Sequence, residues 1–377
     1  MESKIITTTK IWEIMPFIVM VMMEGVTIAL TIFAKTELNN GMSPFVFIVY
    51  TNALATIILF PSSFLLHGIN GGRKEPTPPF TFSLFMRFLL LGFTGITMTQ
   101  SFSFLGLSYS SPILVCAMGL LIPTFNFLLS LIFRETELNL RSSSGFQVQV
   151  IGVLISIMGG LEAELFKGPL IRPTSSSSDD KLQFTNNNIK KPLFVFSSLP
   201  EFWVLGGLLL ASASFSVALW NFIQKKTVKE YPEPMKGVAY YSIIGTMLSA
   251  IVAWIVERDD ANAWKLNHHM QLALIILTAL FGGVIRPNIQ IWFTRMKGPS
   301  YVPLFKPFGI AFATTFGVCI FPNSLHYGSV IGAAIIGLGY YTIIWGQMKG
   351  EEEKRFVERS DYLDNKIPLL QEKMEEV

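Results

Sequence analysis

Three ionisable side chains, Glu24, Arg286 and Lys306, lie inside long apolar runs of this 377-residue chain. A charge at the centre of a bilayer costs at least about 2.5 to 3.5 kcal/mol on insertion scales, so each needs a partner or a use. Glu24 is deep in the first run, too far from either end to snorkel, which places it in a protein interior. Three roles are open to it: carrying a proton, opposing a substrate ammonium, or making a structural ion pair or neutral hydrogen bond. Arg286 and Lys306 are each followed by proline, at Pro287 and Pro307. Proline inside a span frees a carbonyl one turn back and tends to kink the helix. Two cations beside broken turns can hold a carboxylate, although the stem of Lys306 could instead reach the interface. Arg87, Glu13, Glu162 and Glu164 sit at run ends, where interfacial snorkelling is the expectation. The amides Asn52, Gln100, Asn126, Asn221, Asn288 and Gln290 are candidates for substrate contact, or for hydrogen bonds between helices worth roughly 0.6 to 2 kcal/mol each.

Other chemistries lack their residues. No Gly-rich phosphate loop ending in Lys-Ser/Thr is present, which argues against ATP-driven transport. His67, His268, His269 and His326 fall in loops or at run ends, and the adjacent pair lacks the spacing of a metal site on one helix face. No nucleophile, base and metal ligands cluster, so neither an enzyme nor a cofactor is expected. The net charge of +3 is small and dispersed, which argues against nucleic acid. Cys116 and Cys319 lie within apolar runs and read as small hydrophobes. Nothing in the sequence bears on homo-oligomer formation.

The elements that must position these residues follow from composition. Apolar residues make up 51% of the chain and charged residues 15%, with a mean hydropathy of +0.48. A soluble surface needs roughly a quarter charged residues. The apolar runs fall near 12–34, 44–66, 82–105, 112–133, 145–166, 201–223, 238–256, 270–293, 301–321 and 327–347. Each is about the 20 residues that cross a hydrocarbon core, and backbone satisfaction in lipid makes them helices. The first run is too long for a signal-peptide core and reads as a retained span. Lysine and arginine gather in the short segments on the side of the N-terminus, including Arg73, Lys74, Arg134, Arg141, Lys225 and Lys226, so both termini are expected in the cytoplasm. The polar stretch with Thr174-Ser-Ser-Ser-Ser-Asp-Asp180 and Asn186-Asn-Asn188 reads as a linker on the far side. The expected organisation is a cytoplasmic segment 1–11, a five-helix unit 12–166, the linker 167–200, a second five-helix unit 201–347 and a cytoplasmic tail 348–377.

The units echo each other. Gln149-Val-Ile-Gly152 with Gly159 parallels Ser329-Val-Ile-Gly332 with Gly339, and Gly95 precedes Pro112 by the same interval that separates Gly282 from Pro299. An odd number of spans per unit inverts the second relative to the first, the architecture of secondary transporters with a midplane site between halves. The fold class is therefore an all-α polytopic membrane protein of ten transmembrane helices in two inverted five-helix repeats. Gly119, Gly152, Gly159, Gly332 and Gly339 read as close-packing positions, Pro123 as a mechanical element, and Trp12, Trp203 and Trp345 as interfacial aromatics.

A further set of motifs spans nearly the whole chain: Gly41-Met-Ser-Pro-Phe-Val-Phe47, Leu105-Gly-Leu-Ser-Tyr-Ser-Ser-Pro112, Lys229-Glu-Tyr-Pro-Glu-Pro234, Glu257-Arg-Asp259, Met296-Lys-Gly-Pro299 and Tyr327-Gly-Ser-Val-Ile-Gly-Ala333. In this order they resemble the EamA type of the drug/metabolite transporter superfamily, in its plant nodulin-like branch that includes amino-acid exporters (the UMAMIT group) and an auxin-related member. The sequence departs from many such relatives at Thr51, where they carry a basic residue, and at Pro322-Asn-Ser324, where they carry Gly-Glu. The resemblance implies ten helices around a central cavity and a small organic solute, amino acids first, moved by alternating access. Auxin or another organic anion is the alternative solute, and a non-transporting membrane regulator the alternative role. Protons are a candidate coupling partner, and Glu24, Arg286, Lys306, Gln100, Asn126, Asn221 and Asn288 the candidate binding or coupling residues. The plasma membrane is the expected location. The tail motif Asn365-Lys-Ile-Pro-Leu-Leu370, which approaches a dileucine sorting signal, leaves the vacuole open, with the endoplasmic reticulum as a further alternative.

Overall fold

A computed structural model of the chain describes residues 2–69, 81–133, 144–165, 199–231, 234–266, 269–298, 301–320 and 327–364. The tail motif, Pro322-Asn-Ser324, Arg73, Lys74, Arg134 and Arg141 lie outside these, as does the linker 167–200 except its last two residues.

The first unit holds α1 (Glu2–Asn39), α2 (Pro44–Ile69), α3 (Phe82–Gly92), a π-helical stretch Phe93–Met98, α4 (Thr99–Tyr109), α5 (Pro112–Gly119), α6 (Ile122–Ile132) and α7 (Ser144–Leu165). The second holds α8 (Leu199–Glu230), α9 (Pro234–Val256), α10 (His269–Thr278), a π-helical stretch Ala279–Ile285, α11 (Arg286–Lys297), a 3-10 turn Pro303–Phe305, α12 (Phe308–Ile320) and α13 (Tyr327–Asp364). The joints follow local chemistry. Gly41 takes φ +95°, a left-handed value open to glycine, just after α1. Ser43 Oγ then accepts from Val46 N–H at 3.5 Å and Pro44 opens α2, where its missing N–H is no loss.

Nine described helical stretches are long and apolar enough to cross a membrane. The remaining expected span, 301–321, is the 3-10 turn followed by the 13-residue α12, with Lys306 and Pro307 in the joint between them. The fourth span is interrupted as well: α5 and α6 are separated at Leu120 and Leu121, just before Pro123.

The repeat is visible in the backbone, because the third span of each unit is α, then π, then α, and the π stretches contain Gly95 and Gly282. Each unit's fifth span packs against the other's. Gly145, Gly152 and Gly159 of α7 meet the α13 backbone antiparallel, and a Cβ on Gly152 would sit 2.8 Å from Ile343 N and 2.9 Å from Gly339 O. The close-packing reading thus holds for Gly152, Gly159, Gly332 and Gly339. It fails for Gly119, which ends α5 with nothing near its Cβ position. Trp203 stands at the start of its span as expected, but it faces the protein and not the lipid: it is 9% exposed and lies in the largest buried cluster.

Candidate functional site

The three buried charges converge. Glu24 on α1 is 3% exposed. Arg286 opens α11 directly after the second π stretch, and its Nη2 donates to Glu24 Oε1 at 3.1 Å and to Oε2 at 3.5 Å. Lys306 Nζ lies 3.4 Å from the same Oε1. Its stem therefore turns to the carboxylate and not only to the interface, with 37% of the side chain exposed. Both cations stand where the helical ladder is interrupted, and proline follows each. The triad holds two positive charges and one negative, a surplus of one in a place where charge is costly.

A cavity of about 760 Å³ lies beside it. Its walls come from both units: Asn52 and Thr56 of α2, Gly95 of the first π stretch, Gln100 of α4, Trp220 and Gln224 of α8, Tyr241 and Ser242 of α9, Gly282 and Gly283 of the second π stretch, and Asn288, Gln290 and Arg295 of α11. Both π stretches thus border the cavity, in keeping with the concentration of such bulges at functional sites. Trp220 stands edge-on to Tyr241, with centroids 6.3 Å apart, and its indole edge presses on Gly95, where a Cβ would collide with Cδ1. The indole N–H has no hydrogen-bond partner among the described residues. Among the described residues, no Asp or Glu lines this cavity.

At one end of the cavity the amides of α2 and α4 clasp. Asn52 Nδ2 donates to Gln100 Oε1 at 2.6 Å, and Gln100 Nε2 donates back to Asn52 Oδ1 at 3.1 Å. Beyond the clasp further contacts join the helices. Phe47 and Phe104 meet edge to face at 4.9 Å, Tyr50 OH donates to Trp264 O at 2.9 Å, and Ser43 Oγ donates to Glu257 Oε1 at 2.6 Å. Lys35 Nζ donates to Leu107 O and Ser108 O, both at 2.9 Å, satisfying carbonyls at the end of α4.

The sequence-derived candidates therefore fall into three groups. Glu24, Arg286 and Lys306 pair with one another, outside the cavity lining. Asn52, Gln100, Asn288 and Gln290 line the cavity; Asn288 Nδ2 donates to Val284 O at 2.7 Å, which leaves its carbonyl oxygen open to other partners. Asn126 and Asn221 form a long contact of 3.5 Å between α6 and α8, away from the cavity lining. Glu164 differs from its expected interfacial role, because it is packed against Gly207 of α8 with both oxygens buried and unpartnered among the described residues. Thr56, Gln224, Tyr241 and Ser242 were not singled out from sequence. Their signal was a stripe of polar and aromatic residues three or four apart on otherwise apolar helices, such as Asn52 with Thr56 and Trp220 with Gln224.

A membrane bundle of two repeats closing on a solute-sized chamber, largely apolar with polar groups set along its wall, defines a membrane transporter. Residues 15–158 and 204–345 match the EamA-like transporter family, once in each unit, and the chain belongs to that family. It is similar to WAT1-related proteins of Arabidopsis thaliana: one is 49% identical over 370 residues, 95% of this chain and 96% of the relative. A second is 49% identical over 351 residues, 93% and 92% of the two chains, and a third 35% identical over 338 residues, 89% and 86%.

Proposed function

We propose that this chain is a secondary transporter that carries a small organic solute, amino acids first, through the cavity by alternating access. The observation that carries this reading is the cavity itself. Its volume of about 760 Å³ is within the roughly 300–1,000 Å³ usual for small-molecule sites, and its walls come from both repeats. With both termini cytoplasmic, Gln224, Arg295 and Leu59 lie in the cytoplasmic halves of their helices, and the clasp and the contacts beyond it lie on the far side. The conformation is then inward-facing. In this reading Glu24 is the coupling group: it exchanges the cations for a proton when a solute carboxylate draws on Arg286 or Lys306.

One observation favours a second solute class. The carboxylate of Glu24 is already engaged by both cations of the triad, while the described cavity wall offers Arg295 and no carboxylate. An organic anion such as auxin needs only a cation. Uptake of an amino-acid panel and of auxin into proteoliposomes, with and without a pH gradient, separates the readings. Accumulation of amino acids supports the first, accumulation of auxin alone supports the second, and no movement of either supports a non-transporting regulator on this fold.

A further inference from the structure

Among the cavity-lining residues of α2, namely Asn52, Ala55, Thr56 and Leu59, Asn52 is nearest the start of the helix. On the antiparallel third span, Gln100 is the lining residue nearest the end. The clasp they form is therefore the terminus of the cavity along the seam between these helices. About one turn further along the same seam stand Phe47, 1% exposed, and Phe104. Phe47 in turn lines a second, smaller pocket of about 190 Å³ with Tyr50 and Gln271. From Asn52 to Phe47 is five residues, or roughly 7 Å of helix at about 1.5 Å per residue. Along this seam the two pockets are separated by an amide layer and an aromatic layer, with Leu54, Leu107 and Ile275 packed in the same cluster as Phe47.

The two layers respond differently to a solute. Aromatic rings can turn aside without losing a specific partner, whereas each amide of the clasp gives one donor and one acceptor to the other. Asn52 is 8% exposed, so parting the pair leaves its buried amide without the partners it has in the clasp. A solute that offers a donor and an acceptor on neighbouring groups can replace both bonds as it passes. One that lacks either leaves an amide unpaired, the condition under which a polar site rejects an analogue most strongly.

We propose that Asn52 and Gln100 form a selectivity gate between the cavity and the smaller pocket, opened by solutes that carry a hydrogen-bond donor beside an acceptor, such as the ammonium and carboxylate of an amino acid. The inference rests on the transporter reading for its solute. Its barrier function is read separately.

Two probes of equal charge differ in the hydrogen bonds they offer: leucine, and leucine betaine, whose bulkier trimethylammonium has no N–H. In proteoliposomes the wild-type chain should move leucine at least about tenfold faster than the betaine. The apolar pair Asn52→Leu with Gln100→Met should bring that ratio near one by admitting the betaine. The exchanged pair Asn52→Gln with Gln100→Asn, which keeps an amide facing an amide, should retain discrimination. Barrier function is measured without solute, by labelling Thr56→Cys with an impermeant thiol reagent applied opposite the chain termini, in a Cys116→Ser/Cys319→Ser background. Labelling should be slow with the clasp intact and rise about tenfold in the apolar pair.

Unchanged discrimination together with unchanged labelling in the apolar pair overturns the gate. If that pair does not fold, Asn52→Leu and Gln100→Met alone should each raise labelling, and flat labelling in both overturns it equally. If wild-type protein moves no leucine, the amino-acid reading fails, and the labelling result still decides the gate.

Discussion

The surplus charge of the triad makes its members unequal. In Glu24→Gln, Arg286 and Lys306 lose the carboxylate they share at 3.1 and 3.4 Å and are left as two uncompensated cations. At an effective dielectric of about 20 each contact is worth about 5 kcal/mol of Coulomb attraction before desolvation is subtracted. Measured losses on breaking buried pairs are about 3–5 kcal/mol. The 37% exposure of the Lys306 side chain argues for the lower half of that range. Arg286→Met removes the closer cation and leaves a neutral Glu24–Lys306 pair, with a side chain of similar reach in place of the guanidinium. Its cost should be smaller, about 1–2 kcal/mol, because no uncompensated charge remains. Thermal unfolding of purified protein in one detergent should therefore rank wild type, then Arg286→Met, then Glu24→Gln. Arg286→Met proving as destabilising as Glu24→Gln, or more so, would refute the idea that the cluster is one negative charge short.

In reconstituted vesicles at equal protein density, Glu24→Gln should also abolish pH-driven accumulation while retaining solute exchange; pH-driven uptake at the wild-type level would remove Glu24 from coupling. Gly152→Val should cost about 2–3 kcal/mol or more in a thermal melt, since its Cβ would meet Ile343 N at 2.8 Å, whereas Gly119→Ala should fall within about 0.5 kcal/mol of wild type because nothing lies near its Cβ. Gly95→Ala should reduce transport by forcing Trp220 aside, and Trp220→Phe should restore part of it in the double variant; failure of that rescue would mean that the π stretch itself, and not the indole, is sensitive.

The amino-acid sequence determined the membrane class, the span boundaries to within a few residues in most cases, and the five-and-five repeat. Lipid allows one solution for a long apolar run, a helix, and hydropathy and helix-breaking residues are local properties of the chain. It also singled out Glu24, Arg286 and Lys306, because a charge within an apolar run is conspicuous whatever the fold. What it could not contain was their mutual distance. Residues 262 positions apart meet only when α1 and α11 are packed, and that packing turned three candidate ligands into one paired cluster outside the cavity. The cavity was less legible for the opposite reason, because Thr56, Tyr241 and Ser242 are ordinary membrane-helix residues. Their role comes from which helix faces which. The π stretches were hidden as well, since Phe93–Met98 and Ala279–Ile285 read as continuous α-helix by hydropathy. The extra residue in the ladder shows only in the folded backbone, where in the first stretch Thr99 Oγ1 donates to Thr94 O at 2.7 Å.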